Sequence, residues 1–497
     1  MKLASKLRQL ALICGAMLAQ AGLAQAAGIT PEPIPPRYGI PGDQKVIQAY
    51  ADTNDVGAMR NHAWRIWEGL TADSKSIYEG KALPIWETWL ATNQVFTNPP
   101  QSLCETCEIP ASYQALYEPA REFKAPHQFS HGAALLIAKP GKQNPGGLVG
   151  FNKFDPAEVK FLWTPHQQNG AAFNYTSYTD LTNLNATWPD STKMQDAKII
   201  GTPRSSIELK PVLSFVAAKT LTAIPYWQGP QASTDAACAN VNVEHLKHPS
   251  GRYNPSNCHP DPTTWTNCIL VDAANPTAAL RAATAAEFSG ANLSQAAGCT
   301  SVSNAQYVGI DSLYHFKMTA KEATDFNNFQ DNGQKVASAG DSMVLVAMHV
   351  NTKEITDWTW ETFWWQAGQK TPDNYPGDGA GRPKTLAAPW NNYNMCASYS
   401  QTTKPGNKGE MNVCFNPYLE TSGGIPDGIR SNCTTCHGTA AFNQPPTGGY
   451  PLSYAQPVDF NSVQYFLCST QTDFSYAIQG NQANAPANPP AWACNRK

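Results

Sequence analysis

The chain has little charge. Asp, Glu, Lys and Arg make up only 15% of its 497 residues, against roughly a quarter in average soluble domains. That excludes a coiled coil and a charge-driven disordered chain, both of which need far more. Basic residues bring no surplus either: 35 Lys and Arg face 38 Asp and Glu, for a formal charge of −3. A nucleic-acid binder wants a basic face, so that class is set aside. Beyond residue 26 the apolar stretches are all broken by polar residues. None reaches the ~20 residues a membrane-crossing helix requires, so no membrane span is expected. No internal repeat stands out.

The first 26 residues read as an export signal. Lys2, Lys6 and Arg8 form a basic start, Leu10 to Leu18 an apolar run, and Ala24-Gln25-Ala26 an A-x-A cleavage site. Cys14 follows Ile13, not the small residue a lipoprotein signal needs. The expected location is therefore periplasmic or secreted, where disulfides form. Of the 13 cysteines, Cys14 leaves with the signal. Closeness along the chain favours the pairs Cys396–Cys414 and Cys468–Cys494, although sequence does not fix connectivity.

One motif carries chemistry. Cys433-Thr434-Thr435-Cys436-His437 is C-x-x-C-H, the c-type haem attachment signature. The two thiols add to the haem vinyl groups, and the two-residue spacer lets both reach one porphyrin edge. The histidine next to the second thiol then lies under the iron as its proximal ligand. Haem attachment follows export, so signal and motif support each other. Cys104-Glu105-Thr106-Cys107-Glu108 resembles a second copy but has Glu108 where histidine is required. It reads as a local disulfide, with a degenerate haem site or a redox dithiol as alternatives. One covalent haem c is therefore expected.

The second axial ligand is missing downstream. Residues 438 to 496 contain no methionine, histidine or lysine. Either upstream sequence donates the sixth ligand or the position is open to water or substrate. Upstream candidates are Met395, Met411, His349 and His62. Met348 lies on the opposite face of a probable strand from His349. Ordinary packing is the default for each. His245, His248 and His259 lie in a Pro/Asn-rich stretch and read as solvated loop, not zinc site. His127 and His131 read as structural.

The pattern predicts an α+β fold. Residues 27 to about 45 hold five prolines and read as an extended arm. Met59, Ala63, Trp67 and Leu70 predict one aromatic helix, and Ile85, Trp86, Trp89 and Leu90 a second. Ala134 to Ala138, Ala197 to Gly201 and Ile207 to Phe215 read as strands, the last with Pro211 at an edge or bulge. Residues 228–305 read as a disulfide-pinned, Cys/Pro-rich insertion with an alanine-rich helix near 277–289. The alternation through 342–366 predicts an antiparallel pair joined by Asn351 to Asp357, its aromatic second strand buried on both faces or lining a pocket. Residues 1–26, 27–384 and 385–497 thus divide into signal, large mixed domain and C-terminal haem segment. That last segment should be cytochrome c-like, with short helices and loops, a helix opening near Asn432 and another over Asp473 to Gln479.

The motif resembles the c-type cytochromes at Cys433, Cys436 and His437. More broadly the chain is similar to large exported bacterial proteins of the cytochrome c family. The similar pieces are Ile207-Glu208-Leu209-Lys210, His349 with Trp358 to Phe363, Ser431 to His437, and Gln471-Thr472-Asp473-Phe474. The resemblance implies covalent haem and redox chemistry but no substrate. The expected function is electron transfer, with a redox partner protein or a small-molecule substrate. The alternatives are a haem-dependent oxidoreductase with an open iron and a non-enzymatic haem sensor or binding protein.

Overall fold

Long alternating and apolar segments build the central sheet. The computed structural model describes residues 28–96, 99–100, 118–123, 148–168, 171–186, 201–227, 265–329, 336–367, 379–399, 403–404, 407–411, 414–420, 432–438, 440–442 and 470–478. Eight strands make the sheet: β1 (Leu90–Ala91), β2 (Val149–Gly150), β3 (Lys153–Phe154), β4 (Ile207–Val216), β5 (His315–Lys317), β6 (Ser342–Thr352), β7 (Thr359–Trp365) and β8 (Tyr393–Tyr399). Their order is β8–β7–β6–β4–β3–β1, with β5 beside β6 and β2 beside β4. Every pair is antiparallel. The pair read from 342–366 is present as β6 and β7. Pro211 lies inside the sheet, not at its edge. It falls where β2 and β3 leave a gap along β4 and beside a register shift at Leu345/Ala347, so no ladder donor is demanded of it.

Register decides which side chains share a face. Directly paired residues of an antiparallel sheet point the same way. Lys210 pairs with His349, His349 with Thr362, and Thr362 with Cys396. The next row on that face runs Glu208, Asn351, Trp360, Ser398. The opposite face carries Leu209, Val350, Glu361 and Ala397, then Pro211, Met348, Phe363 and Met395.

The second face packs on two N-terminal helices. Helix α1 (Gln44–Thr53) is capped by Asp43, and α2 (Val56–Thr71) by Asp55. Met59, Ala63, Trp67 and Leu70 fall on the buried side of α2, as their spacing predicts. Trp67 stacks on Phe363 with ring centroids 4.2 Å apart. The Pro-rich arm crosses α2 at Gly69, where a Cβ would sit 2.5 Å from the Ile34 side chain. The second aromatic helix is not formed. Ile85–Thr88 is one 3-10 turn after Pro84, and Leu90 enters β1. Trp86 and Trp89 are buried on this irregular path, so four apolar residues satisfied helical spacing without a helix.

A four-stranded sheet contains Thr222–Pro225, Cys268–Asp272, Arg281–Ala282 and Ala305–Gly309. One of its pairs, Cys268–Asp272 with Ala305–Gly309, is parallel. Cys268 bonds Cys299, pinning part of the expected insertion. The alanine-rich helix is shorter than predicted and covers only Ala285–Gly290, starting at a Thr284/Glu287 capping box. Upstream of it, Arg281 and Ala282 pair with Tyr307 and Gln306 instead. Helices and antiparallel sheets together make this an α+β protein. Among the described residues no helix is long and apolar enough to cross a membrane. The strand β8 follows position 385 in sequence and is hydrogen-bonded to β7, which precedes it.

Candidate functional site

The Cys433–His437 helix begins at the first motif cysteine, close to the predicted opening near Asn432. Cys433 and Thr434 are buried. The chain leaves the helix through Gly438 and joins the 470s: Ala441–Phe442 pairs with Thr470–Gln471. The Thr472 amide donates to the Ala440 carbonyl at 3.1 Å. A tight turn follows, closed by the Ser475 amide on the Thr472 carbonyl at 3.0 Å. Both central residues are left-handed, Asp473 at φ 47° and Phe474 at φ 70°. Each costs about 1–2 kcal/mol in that region. The helix predicted over Asp473 to Gln479 is therefore absent; a turn and a 3-10 segment at Tyr476–Ile478 replace it.

Anchors on the sheet hold this turn. The Asp473 carboxylate accepts from Lys353 Nζ at 2.6 Å, from the Thr202 amide at 2.7 Å and from the Thr202 hydroxyl at 2.9 Å. The Ser475 hydroxyl donates to Glu208 at 3.0 Å. The result is a carbonyl aimed at the motif: His437 Nδ1 donates to the Phe474 oxygen at 2.8 Å. That bond fixes the proton on Nδ1 and leaves the lone pair on Nε2, which has no hydrogen-bond partner among the described residues.

Aromatic rings enclose the imidazole. Trp360 lies 4.5 Å away between centroids and Tyr476 5.1 Å. Trp358, Trp360, Cys433 and Phe474 form one buried cluster. Burial pushes His437 down to about 3, and nearby His349 and Lys210 push the same way, against the Phe474 hydrogen bond. The ring is neutral at neutral pH, the state a metal ligand needs.

Polar groups continue along the same sheet face. His349 Nε2 is 2.7 Å from Glu420 Oε1. Glu420 ends the short helix Pro417–Glu420 and accepts the Asn416 amide. Asn416 in turn donates to the Thr362 hydroxyl at 2.7 Å and to the Phe363 carbonyl at 3.0 Å. Burial lowers Lys210 to about 8, opposed by Glu420 and Glu208. Burial raises Glu208 to about 7, opposed by the Ser475 hydroxyl. The disulfide Cys396–Cys414, the pairing favoured by sequence closeness, ties β8 to the start of this segment.

The axial candidates separate by face. His349 shares the face of Trp360, which packs on His437. Met395 and Met348 are on the opposite face. His62 lies on α2, its Nδ1 2.7 Å from the Tyr399 hydroxyl and its Nε2 3.3 Å from Glu354. Both nitrogens are engaged in that network. Met411 ends the strand Asn407–Met411. Cys436 occupies the motif helix. Cys104, Cys107, Cys468, Cys494, His127, His131, His245, His248, His259 and the strand read at Ala134 to Ala138 lie outside the described residues.

Sequence reasoning gave no role to Lys210, Glu208, Glu420 or Phe474. The first two were findable: Ile207-Glu208-Leu209-Lys210 alternates, so both charges must share a face of a strand that is otherwise apolar. No family model, curated protein or solved structure matches this chain.

The side chains fit a covalently held haem in three respects. A neutral histidine has its Nδ1 tied to a backbone carbonyl and its Nε2 lone pair available, the outer-shell arrangement of a ligating histidine. It stands one residue after the second motif cysteine on a helix. The surroundings are aromatic and apolar, as a porphyrin face requires.

Proposed function

We propose that the protein is an exported c-type cytochrome that binds one haem covalently and transfers electrons. Cys433 and Cys436 would hold the ring, and His437 would ligate the iron. When bound, haem supplies a one-electron Fe(II)/Fe(III) couple. The observation that carries the reading is the His437 Nδ1 bond to the Phe474 carbonyl. It orients the imidazole, raises its basicity and keeps the other nitrogen unprotonated. Trp360 and Tyr476 pack against the ring and hold its plane. The electron partner is a redox protein or a small molecule, and the location is the periplasm or beyond.

The test is expression in a host competent in cytochrome c maturation. A denaturing gel stained for haem should show a coloured band, and pyridine haemochrome spectroscopy should give one haem per chain. The Cys433→Ser/Cys436→Ser double variant should lose the stain. A colourless wild-type protein refutes the proposal. A ratio near two would point back to Cys104 and Cys107.

A further inference from the structure

We propose that His349 would supply the second protein ligand to the haem iron from the upstream sheet, with Glu420 holding its imidazole in place. The inference rests on the haem reading above and deepens it.

Four observations lead there. Residues 438 to 496 contain no histidine, methionine or lysine, so the motif's own segment lacks the usual donors. The register puts His349 diagonally beside Trp360, and Trp360 is the side chain packed on His437. Diagonal neighbours on one face lie about 7–8 Å apart, so Trp360 is the side chain that stands between His349 and the motif histidine in the chain of contacts. Three other candidates are turned away: Met395 and Met348 face α2, and His62 is engaged by Tyr399 and Glu354. Lastly, His349 is paired with a carboxylate at 2.7 Å. A carboxylate on one nitrogen of a histidine sets the ring orientation and strengthens the other nitrogen as a donor.

Packing alone does not explain the group. Lys210, His349 and Glu420 are drawn together on a sheet whose other face carries leucine, valine, methionine and phenylalanine beside the single carboxylate of Glu361. Removing the Lys210 and Glu420 charges from water costs several kcal/mol per ion, and apolar residues of similar volume are often as stable. A neutral imidazole held by a carboxylate gives the arrangement a use. Two histidine ligands would also set a lower reduction potential than a histidine–methionine pair.

The test uses the full-length holoprotein. The ferric wild type should be low-spin by electron paramagnetic resonance, and the ferrous form should not bind carbon monoxide. His349→Ala should keep one haem per chain by pyridine haemochrome, become high-spin and bind carbon monoxide. Added imidazole should restore the low-spin signal. His349→Met should remain low-spin with a raised midpoint potential, which covers the case in which the alanine variant does not fold. Glu420→Gln should stay low-spin with a shifted midpoint. The assignment is overturned if His349→Ala stays low-spin without imidazole and ignores carbon monoxide, because the donor is then another residue. It is equally overturned if the wild type is high-spin and binds carbon monoxide, because His349 then only lines an open site. A wild type with no covalent haem removes the underlying reading and this assignment with it.

Discussion

Asp473 shows how much one side chain does at this site. Its carboxylate ties a left-handed turn to Lys353 and Thr202, and that turn presents the carbonyl that orients His437. Asp473→Ala leaves the Lys353 ammonium largely buried and unpaired from its carboxylate, which should cost on the order of 3 kcal/mol. Denaturant unfolding measures the loss, and an unchanged midpoint would contradict it. Trp360→Ala opens a hole against His437 and should cost about 3–5 kcal/mol. A loss below about 1 kcal/mol would show that the site closes over the gap. Glu208 gives a pH signature. Burial raises its folded value to about 7 from an ordinary 4.5, so the folded state favours the protonated form. Stability from this group is complete below pH 4.5 and falls as pH rises through about 7. Glu208→Gln should therefore match the wild type at pH 4 and exceed it at pH 8, by about 1–3 kcal/mol. Thermal unfolding at both values checks the sign.

At the scale of elements, the strand pair β6–β7 and the motif helix were legible in the sequence. Both carry a period: two residues for Val344 to Trp365, and the fixed spacing of the motif. The turn at Thr472 to Ser475 was not legible. Its left-handed residues are Asp and Phe, not the glycine that announces such a turn, and the run Asp473 to Gln479 satisfied helical expectation. The helix expected at Ile85 to Leu90 failed for a related reason. Pro84 and the hydrogen bonds of β1 claim a segment whose apolar residues are buried by tertiary contacts, and periodicity does not report those. His349 was legible as a face residue, whereas its partner Glu420 lies 71 positions away on a four-residue helix that no pattern marks. The Cys396–Cys414 bridge fixes how that helix returns to the sheet. Replacing both cysteines by serine opens a loop with a sequence separation of 18 and should lower stability by about 3 kcal/mol. Calorimetry of the double variant measures it. No change would mean that the strand ladder alone holds the segment.

For the molecule as a whole, one sheet has two covers. Helices α1 and α2 lie on one face, and the segments 414–420, 432–438 and 470–478 engage the other. The motif segment relies on upstream partners for nearly every anchor described: Trp360, Lys353, Thr202, Glu208 and His349. A fragment starting at about residue 385 keeps β8 but loses β7, its partner in the ladder. That fragment should be unfolded by circular dichroism or differ from the whole protein in haem spectrum. If it gave the same spectrum and coordination, the upstream domain would have no part in the site.

The depth of Cys433 bears on how the proposed haem could be attached. In the folded chain this residue is 7% exposed, beneath Trp358, Trp360 and Phe474. An enzyme that joins a thiol to a vinyl group must reach both at once, and it has no such access here. If the chain carries haem as proposed, ligation would have to precede docking of residues 432–438 onto the sheet. On that reading, a strain lacking the ligating machinery would leave this docking step incomplete, and limited proteolysis would cut its chain at the motif segment before the sheet.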